Sequence, residues 1–452
     1  MLSKKSAQDL INRVKSHVSN YAVMVFSATE QNTTRFANSE ISQNVSISNA
    51  ELKLTLYDGK KEASCSTNVF TDEGIVQLVH NAEEMLKCVP DGEFEAFPFS
   101  TEELSEILDV NSINELEKIF GITERAKYVK EGIACLEHGY TGAGALSFNK
   151  NVLAVANSTG DFRYATYGNV AFNTVVTCVE DGAAGAGAYF VYSKNVDAFI
   201  NAPSEILAQF RKAQATASAV RNPISPELGA HTVILSPIAF ADLVLFAALS
   251  LNAEYIEDGS SFATGKLGEK LFGQNVTIYD DITNPLLRPL PFDMEGNVRQ
   301  TLKLVDKGVI SAFAYDNKLA MKLKTKSTGH AGSGVFESGA TPSNIVISGG
   351  EQSLEEIITS TEKGIFINEL NYTNFVNERQ LQLTGLTRNG AFLIEGGKLT
   401  TPISTVRFTE SLLCAFNNIT ALSKEREVVD GYPAAILAPA ARIENFHFTS
   451  KP

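Results

Sequence analysis

The run 238–251 constrains this chain more than any other stretch. It sets Leu243, Val244, Leu245, Phe246 and Leu249 in near succession. A helix that is apolar in this way belongs inside a core or a membrane. No window approaches the ~18 apolar residues of a membrane span, so a core is expected. With 452 residues the chain is long enough for two or three compact domains.

What surrounds that helix reads mainly as sheet. Leu10, Ile11, Val14 and Val18 form one helical stripe over 6–19, and 21–26 is an apolar strand. From 35 to 70 the pattern alternates: Val45, Ile47, Leu52, Leu54, Leu56, a turn at Asp58-Gly59, and a return through Ala63 and Cys65. That pattern predicts antiparallel strands. Asp72 is placed to cap a helix carrying Ile75, Leu78, Val79, Ala82, Met85 and Leu86.

A long helix is expected over 113–136, strands over 144–148, 152–156, 162–167, 170–180 and 187–192, and a helix over 204–219. The two prolines in 221–226 mark a boundary, dividing the chain into 1–222 and 223–452. The second half reads as a strand at 232–235, the apolar helix, then strands between glycine-rich turns, with helices at 353–361 and 409–421. The fold class is α+β: helices with antiparallel sheet first, then a β-rich domain with few helices.

Charge and cysteine usage exclude several functions. A net charge of −14 repels phosphate backbones, which argues against a nucleic-acid partner. Five scattered cysteines without a CxxC pair suit reduced, small buried thiols. Residues 1–20 have no apolar stretch of the signal-peptide kind, so the cytoplasm is the expected location, without membrane attachment.

Few residues look chemical. A local zinc site needs two ligands about one helical turn apart, but the nearest histidines, His80 and His138, are 58 positions apart (138 − 80). The glycine-rich stretches 182–187 and 329–334 lack dinucleotide-binding and Walker patterns, and no serine sits in a GxSxG elbow. Cys414 falls in an apolar helical pattern and reads as core. Asp280, Asp281, Asp293 and Glu295 could bind a hard cation or exchange protons, but beside turn residues they read first as capping groups.

The second half nevertheless carries a recognisable series: GKLGEKLFG at 265–273, YDDITN at 279–284, PFDMEGN at 291–297, KSTGHAGSG at 326–334, ATPSNIVISG at 340–349, STEKGIFIN at 360–368 and NGAFLIEGGKLTTPIST at 389–405. With RFANSEISQNV at 35–45 and Ser66-Thr67-Asn68, these resemble the TldD/PmbA family, once named as modulators of DNA gyrase. The resemblance implies two kinds of chain. TldD-type subunits carry HExxxH on a helix after a VxLxP strand, plus a cysteine ligand near the C-terminus, and are metallopeptidases acting on unfolded or short peptides. PmbA-type (TldE) subunits lack the motif and pair with TldD.

Here the corresponding strand is VILSP at 233–237, and the motif positions fall on Leu245, Phe246 and Ser250. Leucine and phenylalanine offer no lone pair, and a serine hydroxyl is a poor zinc ligand. The segment 430–440 has no cysteine, and NERQLQLTGLTR at 377–388 replaces the family's TGDFS stretch. The resemblance therefore implies a non-catalytic PmbA-type subunit, with zinc in a TldD-type partner and none in this chain, and leaves enzymatic activity of the chain itself open.

Under that reading the partner is a TldD-type chain or a second copy in a homodimer, and Ser327, Thr328, His330 and Asn344 are candidate peptide-cleft residues. Two alternatives stand beside it. One is a self-sufficient metallopeptidase with an unconventional site, sought first at His330 with Asp280, Asp281 or Glu295. The other is a stand-alone, homodimeric peptide-binding or regulatory protein.

Overall fold

The computed structural model describes residues 3–93, 95–100, 110–332, 339–431 and 433–451. Alternating side chains build the first sheet: β1 (Tyr21–Ala37), β2 (Glu40–Asp58), β3 (Lys61–Thr67), β4 (Tyr140–Asn157), β5 (Phe162–Cys178) and β6 (Ala184–Ser193). All neighbours are antiparallel, in the order β3-β2-β1-β4-β5-β6. Ala22, Met24 and Phe26 of β1, with Leu52, Leu54 and Leu56 of β2, share one face and are buried with the apolar stripes of helices Lys4–Lys15 and Asp72–Cys88. Each buried Met, Phe or Leu side chain there contributes roughly 1.5–3 kcal/mol by leaving water. On the opposite face Val23 and Val25 meet Leu290, Phe292 and Met294 of the second half.

Several sequence expectations shift in this half. The helix cap is Thr71, whose hydroxyl accepts the Gly74 N–H at 3.2 Å. Asp72 is the first helical residue and pairs with Arg13 at 2.6 Å. The strands expected at 144–148 and 152–156 are one strand, β4, and those at 162–167 and 170–180 are β5.

The helix expected over 113–136 is three pieces: Val110–Asn114, Glu117–Phe120 and Ile122–Ala134. The break lies at Gly121, which is extended (φ −56°, ψ 168°) and lets Phe120 turn into the core against Phe148 and Phe199. Arg125 is buried there. It donates to the buried Phe120 carbonyl at 2.5 Å, at the end of that helical piece, and to the side chains of Thr34 in β1 and Asn44 in β2.

After helix Ala202–Ala219 the chain enters the second sheet. Its strands are β7 (Gly229–Leu235), β8 (Ile278–Asp280), β9 (Leu302–Asp306), β10 (Val309–Ile310), β11 (Asn344–Ile347), β12 (Lys363–Asn377), β13 (Gln382–Glu395), β14 (Lys398–Pro402), β15 (Arg407–Ser411), β16 (Ile419–Gly431) and β17 (Ala434–Ser450). The path β10-β9-β8-β11-β17-β15-β13-β12-β7 closes on itself because β17 also pairs with β7. Helix Pro237–Leu249 packs against β7, β12, β16 and β17, and its Leu243, Val244, Ala247 and Ala248 are wholly buried in the largest core. The architecture is α+β. The helix expected over 409–421 is only Leu412–Asn417; its flanks pair as β15 with β13 and β17, and as β16 in a hairpin with β17. Only Cys178 is a buried thiol, and Cys414 is exposed.

Candidate functional site

The central helix starts where β7 ends. Ser236 is its N-cap, accepting the Ala239 N–H at 3.2 Å, with Pro237 in the first turn. The same hydroxyl donates to the Asn368 carbonyl at 2.5 Å, and the Ser236 N–H donates to the Ile367 carbonyl at 2.9 Å. These bonds fix the helix to β12.

At the three positions singled out above, Leu245 is 9% exposed and packs in the core. Phe246 is half-buried and meets Phe375 edge-to-face, with centroids 4.9 Å apart. Ser250 is buried, and its hydroxyl donates to the Phe246 carbonyl at 2.8 Å. The three do not form a metal-binding set: two have no donor atom, and the third is a neutral hydroxyl bonded within its own helix. No group of three His, Cys, Asp or Glu among the described residues is arranged to hold a metal ion.

The helix is not enclosed on every side, as its composition led one to expect. Ile238, Asp242, Phe246 and Leu249 form a half-exposed stripe along it. Asp242 is the one charged residue between 238 and 251, a signal present in the sequence that the apolar average concealed. Burial pushes its carboxyl above the usual range; Thr373 works against this and Glu369 adds to it. Glu369 accepts from Asn389 Nδ2 at 2.6 Å.

Beside this stripe β12 runs past its partner. β7 pairs with it only at Ile365–Ile367, whereas β12 continues to Asn377. Beyond that pairing no strand among the described residues takes the β7-side edge of β12. Its register with β13 shifts three times there, and Tyr372 and Val376 are 80% and 54% exposed.

The four candidate cleft residues take other places. Ser327, Thr328 and His330 lie together, but Thr328 Oγ1 bonds the Tyr315 backbone and His330 is buried. His330 Nδ1 donates to the Thr328 carbonyl at 2.8 Å, and Nε2 faces Asp280 at 3.5 Å, too far for a hydrogen bond. Asn344 is wholly buried, donating to the Arg288 carbonyl at 2.8 Å. Ser327 is half-buried and lines a pocket with Asn297 and Lys326, while His330 lines a smaller one with Asp293 and Arg299. Residues 333 and 334 of the KSTGHAGSG segment lie outside the described residues.

The carboxylates nearby organise loops. Asp280 pairs with Arg299 at 2.9 and 3.1 Å and accepts the N–H groups of Ser343 and Asn344. Burial works to raise its pKa, but Arg299 and His330 outweigh it and hold the carboxyl well below the usual range. Asp293 accepts the N–H groups of Glu295, Asn297 and Ala331, and Asp281 that of Thr283. Glu295 lines a cavity of about 610 Å³ between the two sheets, with Tyr57, Glu62, Asp316 and Lys318. Burial first, then Asp293, pushes Glu295 up to about 8.

The PmbA/TldA metallopeptidase C-terminal domain matches residues 228–450, and the PmbA/TldA metallopeptidase domain 1 matches residues 22–86. An uncharacterised protein of Methanocaldococcus jannaschii is 33% identical over 139 residues, which are 30% of this chain and 32% of that one. A metalloprotease PmbA homologue of Buchnera aphidicola is 22% identical over 92% of both chains. Other metalloprotease relatives match over 35–52% of their own length. The crystal structure of TldE from Thermococcus kodakarensis superposes with a TM-score of 0.83 at 20% identity, covering 98% of this chain and 100% of that one, and so shares the fold. No described helix is long and apolar enough to cross a membrane.

Proposed function

Because this chain belongs to the PmbA/TldD metallopeptidase family, we propose that it is a PmbA/TldE-like, non-catalytic subunit that holds unfolded or short peptides for a metal-bearing TldD-type partner. One observation carries the reading: Leu245, Phe246 and Ser250 supply no donor set, while the β12 edge beside them is open. Removing ligands while retaining a strand edge discards bond cleavage and keeps peptide capture. An extended peptide adding to residues 369–377 would gain main-chain hydrogen bonds at that edge. The half-exposed stripe of the central helix offers an apolar contact at Phe246 and a carboxyl at Asp242 for its side chains, and β12 itself adds Glu369. Zinc and the attacking water belong, on this reading, to the partner.

The test is to mix the purified chain with its cognate HExxxH-bearing relative. A complex is expected in sedimentation, with zinc bound only by the relative and altered turnover of an unstructured peptide. No complex together with unchanged turnover would sink the subunit assignment. Stoichiometric zinc in this chain alone, with chelator-sensitive peptidase activity, would replace it with a self-sufficient enzyme.

A further inference from the structure

The gap beside β12 lacks positive charge. Two contacts show that the central helix runs along β12 in the same direction: Ser236 meets Asn368 at one end, and Phe246 meets Phe375 at the other. Asp242 lies between them on the half-exposed stripe, and its neighbours are Thr373 and Glu369 of β12. Among the described residues neither carboxyl has a basic partner, and Glu369 accepts from the neutral amide of Asn389. Asp280, by contrast, is matched by Arg299. Thr373 Oγ1 is buried with no well-formed hydrogen bond, so its lone pairs are free for a donor.

We infer that the peptide captured at this edge is selected for a lysine or arginine, whose cationic end enters between Asp242, Glu369 and Thr373. The inference rests on the peptide reading above and adds the class of peptide. Burial and the Glu369 charge both push the Asp242 carboxyl up, as happens to an acid without its counter-ion. An ammonium or guanidinium supplies that charge through charge-assisted hydrogen bonds. Phe246 follows Asp242 by four residues, hence on the same helix face, and offers an apolar bed for the side chain's stem. Alternate residues of an added strand point to one face, so a single basic residue in register is enough. A bare calcium ion fits poorly, because two carboxyls and a hydroxyl fall short of the roughly six to eight oxygens it takes.

The experiment uses the full-length protein and fluorescence anisotropy. Two unstructured peptides differ at one residue, lysine in one and N-acetyl-lysine in the other, which keeps the stem and removes the charge. The parent is expected to bind the lysine peptide at least roughly tenfold more tightly. Asp242→Asn combined with Glu369→Gln keeps both side-chain shapes and an acceptor for Asn389. This variant is expected to bind the two peptides equally, and the comparison on the parent needs no variant at all. A lysine preference that survives in the variant would trace to the net charge of −14 at large and overturn the proposal. Equal binding of both peptides by the parent would overturn it too. If Val376→Pro then weakens both, edge capture stands and only the charge preference falls. Failure of either peptide to bind would remove both readings together.

Discussion

Phe246 meets Phe375 edge-to-face, with ring centroids 4.9 Å apart and planes at 89°. The contact ties the central helix to the part of β12 that runs beyond β7, at a position where the family resemblance implies a metallopeptidase would carry a polar residue. A double-mutant cycle, Phe246→Ala against Phe375→Ala, is expected to show a coupling of about 0.5–1.5 kcal/mol in urea unfolding. Phe246→Ala alone is expected to cost roughly 2–3 kcal/mol, less than a fully buried phenylalanine. Zero coupling would mean the rings merely lie near each other.

Asp280 and Arg299 form a buried ion pair, so removing one partner strands the other. Asp280→Asn is expected to cost about 3–5 kcal/mol at neutral pH. Because the folded carboxyl titrates below its unfolded value, its stabilisation is complete above the unfolded pKa of about 4 and is lost as pH falls further toward the folded value. The gap between parent and variant in denaturant unfolding should therefore narrow below pH ~4. A pH-independent gap would contradict the pairing.

Glu295 has the opposite sign. Its folded pKa of about 8 exceeds the unfolded value, so the native state holds a proton that the unfolded chain releases. The parent should lose stability between pH ~4.3 and the folded value and level off above it. Glu295→Gln keeps an acceptor for the Asn317 N–H, bonded at 2.9 Å. Its advantage over the parent is expected to grow across that window, to on the order of a few kcal/mol. Unfolding curves at acidic, neutral and alkaline pH measure it; an advantage that shrinks with pH would refute the assignment.

Val376 falls within a register shift and is not paired with β13, so a proline there leaves the existing ladder intact. Val376→Pro is expected to weaken binding of a fluorescent unstructured peptide by roughly tenfold, with little change in melting temperature. Undiminished binding would move the peptide away from this edge.

Local pattern carried much of the fold. Alternation at Leu52, Leu54 and Leu56 foretold an antiparallel strand, and the Asp58-Gly59 turn foretold the β2–β3 hairpin, with Gly59 at φ 56° as such a turn requires. The missing donors at Leu245 and Phe246 were equally legible, because whether a side chain has a lone pair does not depend on its surroundings.

What the chain could not announce locally were features decided by distant partners. The helix expected over 113–136 breaks at Gly121 because Phe120 is drawn into a core built from Phe148 and Phe199. Within 409–421 only Leu412–Asn417 is helical, because the flanking residues are drawn into β15 and β16 by pairing with β13 and β17. The half-exposed stripe through Asp242 and the free edge of β12 depend on where β7 stops, a register set between Leu235 and Ile367, more than a hundred residues apart in the chain. Side-chain chemistry is written residue by residue, whereas exposure and strand pairing exist only once remote segments meet.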